Sequence, residues 1–253
     1  MTIDQRRVAI VTGAGSGFGA GIARKLASQG IAVIVADVAV QNGEALVEEM
    51  NASGGTATFI KTDVTSAIDW KATVDWAITQ YGRLNYVVNN AGGTYKSKPV
   101  YETTEADFYK CIDLNLLSIF HSVHQALPRL QEAGRKGQPA SMVNISSTGG
   151  VKGRPGLTWY SASKAAVISV TQSLAHEFAS DQVRINCICP VLGNTPLMAQ
   201  FVGEADTDAF AKTIPLGRFA DPSDIANSTA FLLSDEANFL TGVILPVDGG
   251  RLA

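Results

Sequence analysis

Two side chains with complementary acid–base chemistry, Tyr160 and Lys164, are four residues apart in a stretch with a helical pattern. Residues four apart on an α-helix lie on the same face, so the phenol and the ammonium group can approach each other. A phenol has an ordinary pKa of about 10, and a nearby cation lowers that pKa. The pair predicts a general acid–base catalyst, but the same spacing is also common in an ordinary exposed helix pair.

A hydroxyl that could join this pair belongs to Ser147, thirteen residues before Tyr160. It follows an apolar run at residues 142–145, which predicts a strand. A side chain at the end of that strand can lie beside the phenol, where its hydroxyl could hydrogen-bond a substrate oxygen. The three residues together suggest a site that moves a proton to or from an oxygen.

The elements that must position these residues alternate regularly along the chain. Apolar runs predict strands at residues 7–12, 31–36, 56–60, 84–89, 140–145, 183–188 and from 243, the last one edge-like because Pro246 cannot donate to a ladder. Helical patterns stand between them, among them residues 41–50, 68–81, 105–127, 160–179 and 222–233. Such alternation predicts an α/β fold, a single-domain Rossmann-type doubly wound parallel β-sheet of about seven strands with helices on both faces.

A glycine-rich segment, residues 12–19, links the first strand to the first helix and includes Gly13, Ser16, Gly17, Phe18 and Gly19. Glycines there admit positive φ and let a pyrophosphate reach the backbone, and the helix N-terminus supplies free N–H donors. In this strand–turn–helix setting the segment predicts a dinucleotide site.

Two acidic residues end the next strands and favour a particular dinucleotide. The carboxylate of Asp37 can accept hydrogen bonds from both adenosine ribose hydroxyls and would repel a 2′-phosphate, so NAD is preferred over NADP. Asp63 and Val64 could hold the adenine. The alternatives are a helix cap for Asp37 and a simple turn residue for Asp63.

The composition limits the number of domains and the kinds of partner that the protein is expected to have. The 253 residues are 46% hydrophobic and 17% charged, with a net charge of −3, and contain no linker-like or repeated segment. One domain, residues 1–253, is the expectation, with the long irregular connection at 191–217 as a lid or binding loop. The charge balance argues against nucleic acid, and no apolar run is long enough to cross a membrane. Three cysteines suit a reducing cytoplasm, and no His or Cys spacing predicts a metal site.

The chain resembles the classical group of the short-chain dehydrogenase/reductase family from Val8 to its C-terminus. The glycine turn matches that family's cofactor turn, and Asn89-Asn-Ala-Gly92 matches its fourth-strand motif. The order of its catalytic tetrad is matched by Asn115, Ser147, Tyr160 and Lys164.

The resemblance implies a role for each matched residue. Tyr160 would exchange a proton with the substrate oxygen while hydride moves between the substrate carbon and the nicotinamide, and Ser147 would orient that oxygen. Lys164 would bind the nicotinamide ribose and lower the phenol pKa. Asn115 would hold a water in a proton relay, and a kink would explain an asparagine in mid-helix. Asn90 would contact the cofactor ribose. A homotetramer is also implied, with residues 105–130, 160–180 and the last strand at its interfaces.

The chain departs from the family pattern after the sixth strand. The family usually has Pro-Gly there, whereas this sequence reads Pro190-Val-Leu-Gly193-Asn-Thr195. Thr195 and the Gly193 backbone remain the expected contacts of the nicotinamide carboxamide. This variant, together with Gly156-Leu-Thr-Trp-Tyr160 and a Val-Asp-Gly-Gly-Arg ending, is similar to a subgroup that includes dehydrogenases acting on alcohols of sulfonated aromatics.

The substrate is expected to be a small cyclic or aromatic alcohol or its ketone or aldehyde, because the segments that flank the site are mainly apolar and aromatic. They contribute Gly149, Gly150, Val151, Thr94, Tyr95, Trp159, Leu192, Leu197, Met198 and Phe201. Four basic residues, Lys96, Lys98, Lys152 and Arg154, either bind an anionic substrate group or are solvated surface charges. Two rival functions are a catalytically silent NAD-sensing or scaffold protein and a sugar-nucleotide epimerase or dehydratase, which usually has a further substrate region.

Overall fold

A computed structural model of the protein describes residues 6–202 and 207–253. Within these ranges, seven parallel strands form one sheet in the order β3-β2-β1-β4-β5-β6-β7. The strands are β1 (Val8–Thr12), β2 (Ala32–Asp37), β3 (Thr56–Lys61), β4 (Tyr86–Asn89), β5 (Ser141–Ile145), β6 (Arg184–Pro190) and β7 (Ile244–Val247). The predicted doubly wound parallel sheet is confirmed, and β7 with its Pro246 lies at an edge.

Helices connect the strands and cover both faces of the sheet. They are α1 (Gly17–Ser28), α2 (Val40–Ala52), α3 (Ala67–Tyr81), α4 (Glu105–Ile112), α5 (Ser118–Arg135), α6 (Thr148–Val151), α7 (Thr158–Phe178), α8 (Met198–Val202), α9 (Thr207–Ala211) and α10 (Pro222–Leu233). Among the described residues, no helix is both long and apolar enough to cross a bilayer.

The core has two layers because successive side chains of a strand point to opposite faces. Ala9 and Val11 of β1 pack on one face with residues of α1, α2 and α10. Val8 and Ile10 pack on the other face, where Trp70 of α3 is fully buried with residues of α5. This burial on both faces explains the continuous apolar runs of the sequence.

The strand order reverses beside β1, which is the feature that creates the site. β1 pairs with β2 on one side and with β4 on the other, so the chain leaves β1 in one direction and later returns to its opposite side. A crevice opens at the carboxyl ends of the strands at such a point, and ligands of doubly wound sheets bind there.

Local sequence signals explain where several helices begin. Asp221 caps α10 by accepting a hydrogen bond from Ser223 N at 2.9 Å, and Pro222 occupies the first helical position. Ser66 caps α3 by accepting from Asp69 N at 3.2 Å. Residues of these types satisfy backbone donors that a helix start leaves free.

Candidate active site

One cavity of about 840 Å³ lies at the carboxyl ends of the strands. Most of the residues predicted to form the site line it: Gly13, Ser16, Gly17, Phe18, Asp37, Asp63, Val64, Asn90, Ser147, Tyr160, Lys164, Gly193 and Thr195. Gly19 and Asn115 do not line the cavity, but they contact residues that do: Gly19 packs on Gly13, and Asn115 hydrogen-bonds Gly93. The structure therefore brings the predicted nucleotide residues and the predicted acid–base residues into one space.

The glycine turn is as tight as its sequence indicates. Gly13 has φ +61° and Gly17 has φ +54°, values that other residues rarely adopt. Gly19 is required for a different reason, because a Cβ there would lie 2.2 Å from Gly13 O and 2.5 Å from the side-chain nitrogen of Asn90. The first turn of α1 can approach the backbone closely only with glycine at this position.

Two polar side chains hold the turn in shape. Asp37 accepts from Gly15 N and from Ala39 N, both at 2.8 Å. The N-cap of α2 is Ala39, which has no side-chain cap bond, so Asp37 holds the residues before the helix rather than capping it. Asn90 donates to Thr12 O at 2.9 Å and to Gly13 O at 3.1 Å. Both amide hydrogens of Asn90 are thus used on the turn, and its predicted ribose contact stays a prediction.

At the adenine end, Asp63 follows β3 and is exposed at the cavity wall. Its carboxylate accepts from the backbone nitrogen of Thr65 at 2.9 Å and from the Thr65 hydroxyl at 2.7 Å. This is the turn geometry of the alternative interpretation, and it leaves the second carboxylate oxygen of Asp63 available to a ligand.

The acid–base residues meet where β5 ends and α7 begins. Ser147 caps the short helix α6 and accepts from Gly149 N at 3.0 Å. Tyr160 lies in the first turn of α7 with 6% of its surface exposed. Lys164, one turn later, is equally buried and donates to Ile145 O at 2.9 Å. The ordinary exposed pair of the alternative interpretation is excluded, because both side chains are buried in the wall of the cavity.

Burial dominates the electrostatics of both groups in the pair. Burial raises the pKa of Tyr160 to about 12, and the neighbouring Ser147 hydroxyl opposes that rise by hydrogen bonding. Burial also lowers the pKa of Lys164 to about 8. In the protein without cofactor, burial thus outweighs the groups that favour the phenolate, and Lys164 is not among the causes of the shift in the Tyr160 pKa. The expectation that Lys164 lowers the phenol pKa in the working site stays a prediction.

This pKa can be measured directly. In the protein without cofactor, we expect Tyr160 to stay protonated up to about pH 11, because a raised pKa delays ionisation. The measurement is the ultraviolet absorbance change of phenolate formation, taken as the difference between the parent and Tyr160→Phe. Ser147→Ala should move the ionisation to still higher pH, because it removes the hydrogen bond that favours the phenolate. Ionisation of Tyr160 below its ordinary pKa would contradict this assignment.

Asn115 lies in a π-turn, Asp113–Leu117, that interrupts the helix predicted over residues 105–127. Its side chain accepts from Gly93 N at 2.9 Å and donates to Gly93 O at 2.9 Å and to the Ser163 hydroxyl at 3.0 Å. A Cβ on Gly92 would lie 2.7 Å from the Asn115 side-chain oxygen and 3.0 Å from Lys164 Nζ. The helix is interrupted at Asn115, and the hydrogen bonds of the Asn115 side chain tie the loop after β4 to α7. π-turns of this kind are frequent at functional sites.

The departure after the sixth strand has a steric explanation. A Cβ at Gly193 would lie 2.2 Å from the ring of Phe18, so only glycine fits where the loop crosses that ring. Thr195 then packs on the glycine turn, with its Cβ 3.2 Å from the position that a Cβ on Gly17 would take. Although the glycine is displaced from its position in the family pattern, Gly193 and Thr195 both line the cavity.

The substrate end of the cavity has a different wall from the one predicted. Of the expected residues, only Gly149, Leu192, Leu197 and Phe201 line it, whereas Gly150, Val151, Thr94, Tyr95, Trp159 and Met198 do not. Tyr95 and Trp159 instead pack with Tyr160 in a small cluster, where Trp159 N donates to the Tyr95 hydroxyl at 3.3 Å. They pack against Tyr160 and lie outside the cavity wall.

Sequence reasoning missed several residues of this wall, namely Pro196, Gln200, Phe210, Thr213, Arg251 and Leu252. The four basic residues of the sequence prediction occupy different environments. Lys96 is exposed and outside the wall, and Lys98 forms an ion pair with Asp107 at 2.6 Å. Lys152 lies exposed in the wall and Arg154 half-buried in it. In the described part of the chain, no cluster of His, Cys, Asp and Glu could hold a metal ion.

Comparisons with known proteins agree with this geometry. The sequence model of a family described as enoyl-(acyl carrier protein) reductase matches residues 13–251. The chain is 50% identical over 250 residues to 4-formylbenzenesulfonate dehydrogenase of Comamonas testosteroni, covering 97% of this chain and 98% of that protein. It is 37% identical to cyclohexanol dehydrogenase of an Acinetobacter species, covering 96% and 94%. A crystal structure of 3-ketoacyl-(acyl-carrier-protein) reductase from Brucella melitensis with NADH superimposes with a TM-score of 0.93 at 36% identity, covering 98% of each chain.

Proposed function

The chain belongs to the short-chain dehydrogenase/reductase family, and from that membership we propose that it interconverts small cyclic or aromatic alcohols and their carbonyl compounds with NAD. The family is one of oxidoreductases whose fold binds a nicotinamide cofactor. The observation that carries the proposal is the placement of Ser147, Tyr160 and Lys164 in the same cavity wall as the glycine turn. The two dehydrogenases compared above act, by their names, on ring compounds.

The residues of the turn fit a dinucleotide. A Cβ at Gly19 would collide with Gly13 O and with Asn90, so the first turn of α1 packs closely on the glycine turn only with glycine there. Ser16 starts α1 in an extended conformation and makes no side-chain cap bond, which leaves the first amides of the helix for a pyrophosphate. Bound NAD would accept hydride from the substrate carbon, and NADH would return it.

The protein residues handle the proton and the substrate oxygen. In carbonyl reduction, the protonated phenol of Tyr160 would donate its proton to the oxygen as charge develops there, and Ser147 would donate a hydrogen bond to the same oxygen. In alcohol oxidation, Tyr160 must first lose its proton. Lys164, whose pKa is lowered to about 8, would favour that loss when it is charged. Asn115 would hold the relay water of the family beside Lys164. The support is that the Asn115 side-chain oxygen and Lys164 Nζ lie 2.7 Å and 3.0 Å from one point, the position of a Cβ on Gly92.

We further propose a single domain in which residues 191–217 form a lid over the substrate. The support is that Leu197, Phe201 and Phe210 of this segment line the cavity. Residues 203–206 of the segment lie outside the described part of the chain.

Assembly and location are proposals as well. A homotetramer is supported by large apolar side chains exposed on the elements named for its interfaces, Tyr109 and Phe120 at α4 and α5 and Phe239 just before β7. A reducing cytoplasm is supported by three cysteines that are all free.

The choice of NAD over NADP makes a prediction about Asp37. Asp37→Asn removes the charge that would repel a 2′-phosphate, so the ratio of kcat/KM for NAD to that for NADP should fall on the order of 100-fold. Asp63→Asn is the matched control, because it removes the same charge beyond the next strand and should keep the ratio within about threefold. Steady-state kinetics with both cofactors test this. An unchanged ratio in Asp37→Asn would show that another feature selects the cofactor.

The function itself is tested by incubating the protein with NAD or NADP and a panel of secondary, cyclic and benzylic alcohols, while the absorbance of the reduced cofactor is followed. The proposal expects turnover of ring alcohols with NAD. No turnover on the whole panel, together with intact NADH binding, would favour the catalytically silent nucleotide-binding alternative. Turnover of open-chain alcohols alone would contradict the proposed substrate class.

A further inference from the structure

Two arginines from distant parts of the chain, Arg154 and Arg251, face the substrate end of the cavity. The backbone of Arg154 is fixed at the start of α7, where its N–H donates to the Ser161 hydroxyl at 3.2 Å and its carbonyl accepts from Leu157 N at 3.1 Å. Its place in the wall therefore follows from the same helix that carries Tyr160.

A hydrogen-bonded turn near the C-terminus positions Arg251 in the wall of the same cavity. The carboxylate of Asp248 accepts from Gly250 N at 3.0 Å and from Leu252 N at 2.8 Å. Gly249 and Gly250 have φ +62° and +88°, which only glycine adopts readily. The sequence Asp248-Gly-Gly-Arg thus folds back toward the cavity, and the Arg251 side chain donates to the Thr213 hydroxyl in its wall.

The two guanidinium groups share one aromatic ring. The guanidinium carbon of Arg251 lies 4.3 Å from the ring centre of Phe210, and that of Arg154 lies 4.9 Å from the same centre. Within the described residues, neither arginine forms an ion pair with a carboxylate, although most other arginines in the described chain do. Burial and the charge of Arg251 both lower the pKa of Arg154. Two like charges in one cavity wall, with neither paired to a carboxylate of the described residues, can bind an anion.

The site lies at a defined place relative to the acid–base residues. The ring of Phe201 packs edge-to-face on Tyr160 with 5.1 Å between ring centres. The guanidinium carbon of Arg154 lies 5.9 Å from the centre of the same Phe201 ring. The ring of Phe201 thus contacts both Tyr160 and Arg154. A ring substrate with its reacting oxygen at Tyr160 would reach this side of Phe201 with a group on the far side of its own ring.

We propose that Arg154 and Arg251 bind a carboxylate or sulfonate on the substrate, so that the enzyme acts on ring alcohols or aldehydes with an anionic group on the far side of the ring. The inference rests on the proposed function and specifies its substrate class. Lys152, exposed at the same wall, is screened by solvent and adds little.

The kinetic test compares 4-(hydroxymethyl)benzoate and 4-(hydroxymethyl)benzenesulfonate with benzyl alcohol. The parent should prefer the anionic alcohols, and the ratio of kcat/KM for anionic over neutral substrate should fall at least about tenfold in Arg154→Gln and in Arg251→Gln. Arg154→Lys, which keeps the charge, should retain more of the ratio than Arg154→Gln. Lys96→Gln is the matched control, because Lys96 is exposed and outside the wall, and it should keep the parent ratio.

A binding test needs neither turnover nor variants. In the NADH-loaded protein, isothermal titration should show 4-methylbenzoate binding at least about tenfold more tightly than its neutral counterpart 4-methylbenzamide. Equal affinities would overturn the inference even if the variants failed to fold.

The remaining outcomes separate this inference from the proposed function. Turnover of neutral ring alcohols without a preference for anionic ones would overturn the anion site and leave the function standing. A ratio unchanged in both arginine variants would also overturn it. Equal loss of NADH affinity in the variants would show that the arginines serve the cofactor phosphates, which contradicts the inference. No turnover of any alcohol, with selective benzoate binding, would keep the anion site and reject the function.

Discussion

Tyr160→Phe is expected to lower kcat for alcohol oxidation by about 10²- to 10⁴-fold, the range typical of losing a positioned general acid–base group. The change removes a single oxygen and keeps the ring that packs on Phe201, so the protein should remain folded. NADH should still bind, because the glycine turn at the other end of the cavity is unaffected. Steady-state kinetics and NADH fluorescence titration measure the two quantities separately.

The control for this substitution is Tyr95→Phe. Tyr95 is a buried tyrosine of the same small cluster, but it lies outside the cavity wall and its hydroxyl accepts only from Trp159 N among the described residues. Its kcat should stay within about threefold of the parent value, as expected for a lost neutral hydrogen bond in a supporting position. Equal losses in both variants would mean that the cluster, rather than the Tyr160 hydroxyl, controls the rate.

Gly19→Ala should weaken NADH binding on the order of 100-fold, because crowding of a packed backbone costs about 1–3 kcal/mol or more. A Cβ at Gly19 would lie 2.2 Å from Gly13 O, so the turn or the first turn of α1 must move. The displaced turn would no longer present its amides to a pyrophosphate. Fluorescence titration with NADH gives the dissociation constant directly.

A second glycine of α1 separates this effect from general destabilisation. A Cβ at Gly21 would lie 2.9 Å from Pro222 Cβ, so Gly21→Ala is crowded against α10 rather than against the cofactor turn. It should lower the melting temperature while keeping NADH affinity within about threefold, since distant sites are nearly independent. NADH affinity retained in Gly19→Ala would contradict the role assigned to the turn.

The sheet and the nucleotide half of the site could be predicted because their signals are local. A strand that is buried on both faces is apolar throughout, and a turn that needs positive φ contains glycine, as β1 and the turn after it show. Asp37 and Ser147 were found because a polar residue directly after an apolar run marks the carboxyl end of a strand.

Other features depend on contacts between distant residues and carry no local signal. The helix predicted over 105–127 is broken by the π-turn at Asn115, whose cause is a set of hydrogen bonds to Gly93 and Ser163. Arg251 comes near Arg154 only in the folded chain, where both contact the ring of Phe210.

The raised pKa of Tyr160 likewise follows from burial, which is not visible in the spacing of Tyr160 and Lys164. The Asp-Gly-Gly-Arg sequence at residues 248–251 was the only signal that could have pointed to Arg251.

The most direct measurement follows the hydrogen itself. Benzyl alcohol and 4-(hydroxymethyl)benzoate, each carrying deuterium on the carbinol carbon, are incubated with NAD and the protein, and the reduced cofactor is analysed by mass spectrometry. Hydride transfer predicts NADH that carries one deuterium, formed in equal amount with the aldehyde, and very little of either product with Tyr160→Phe. Reduced cofactor without deuterium, or no reduced cofactor from a protein that binds NADH, would contradict the account.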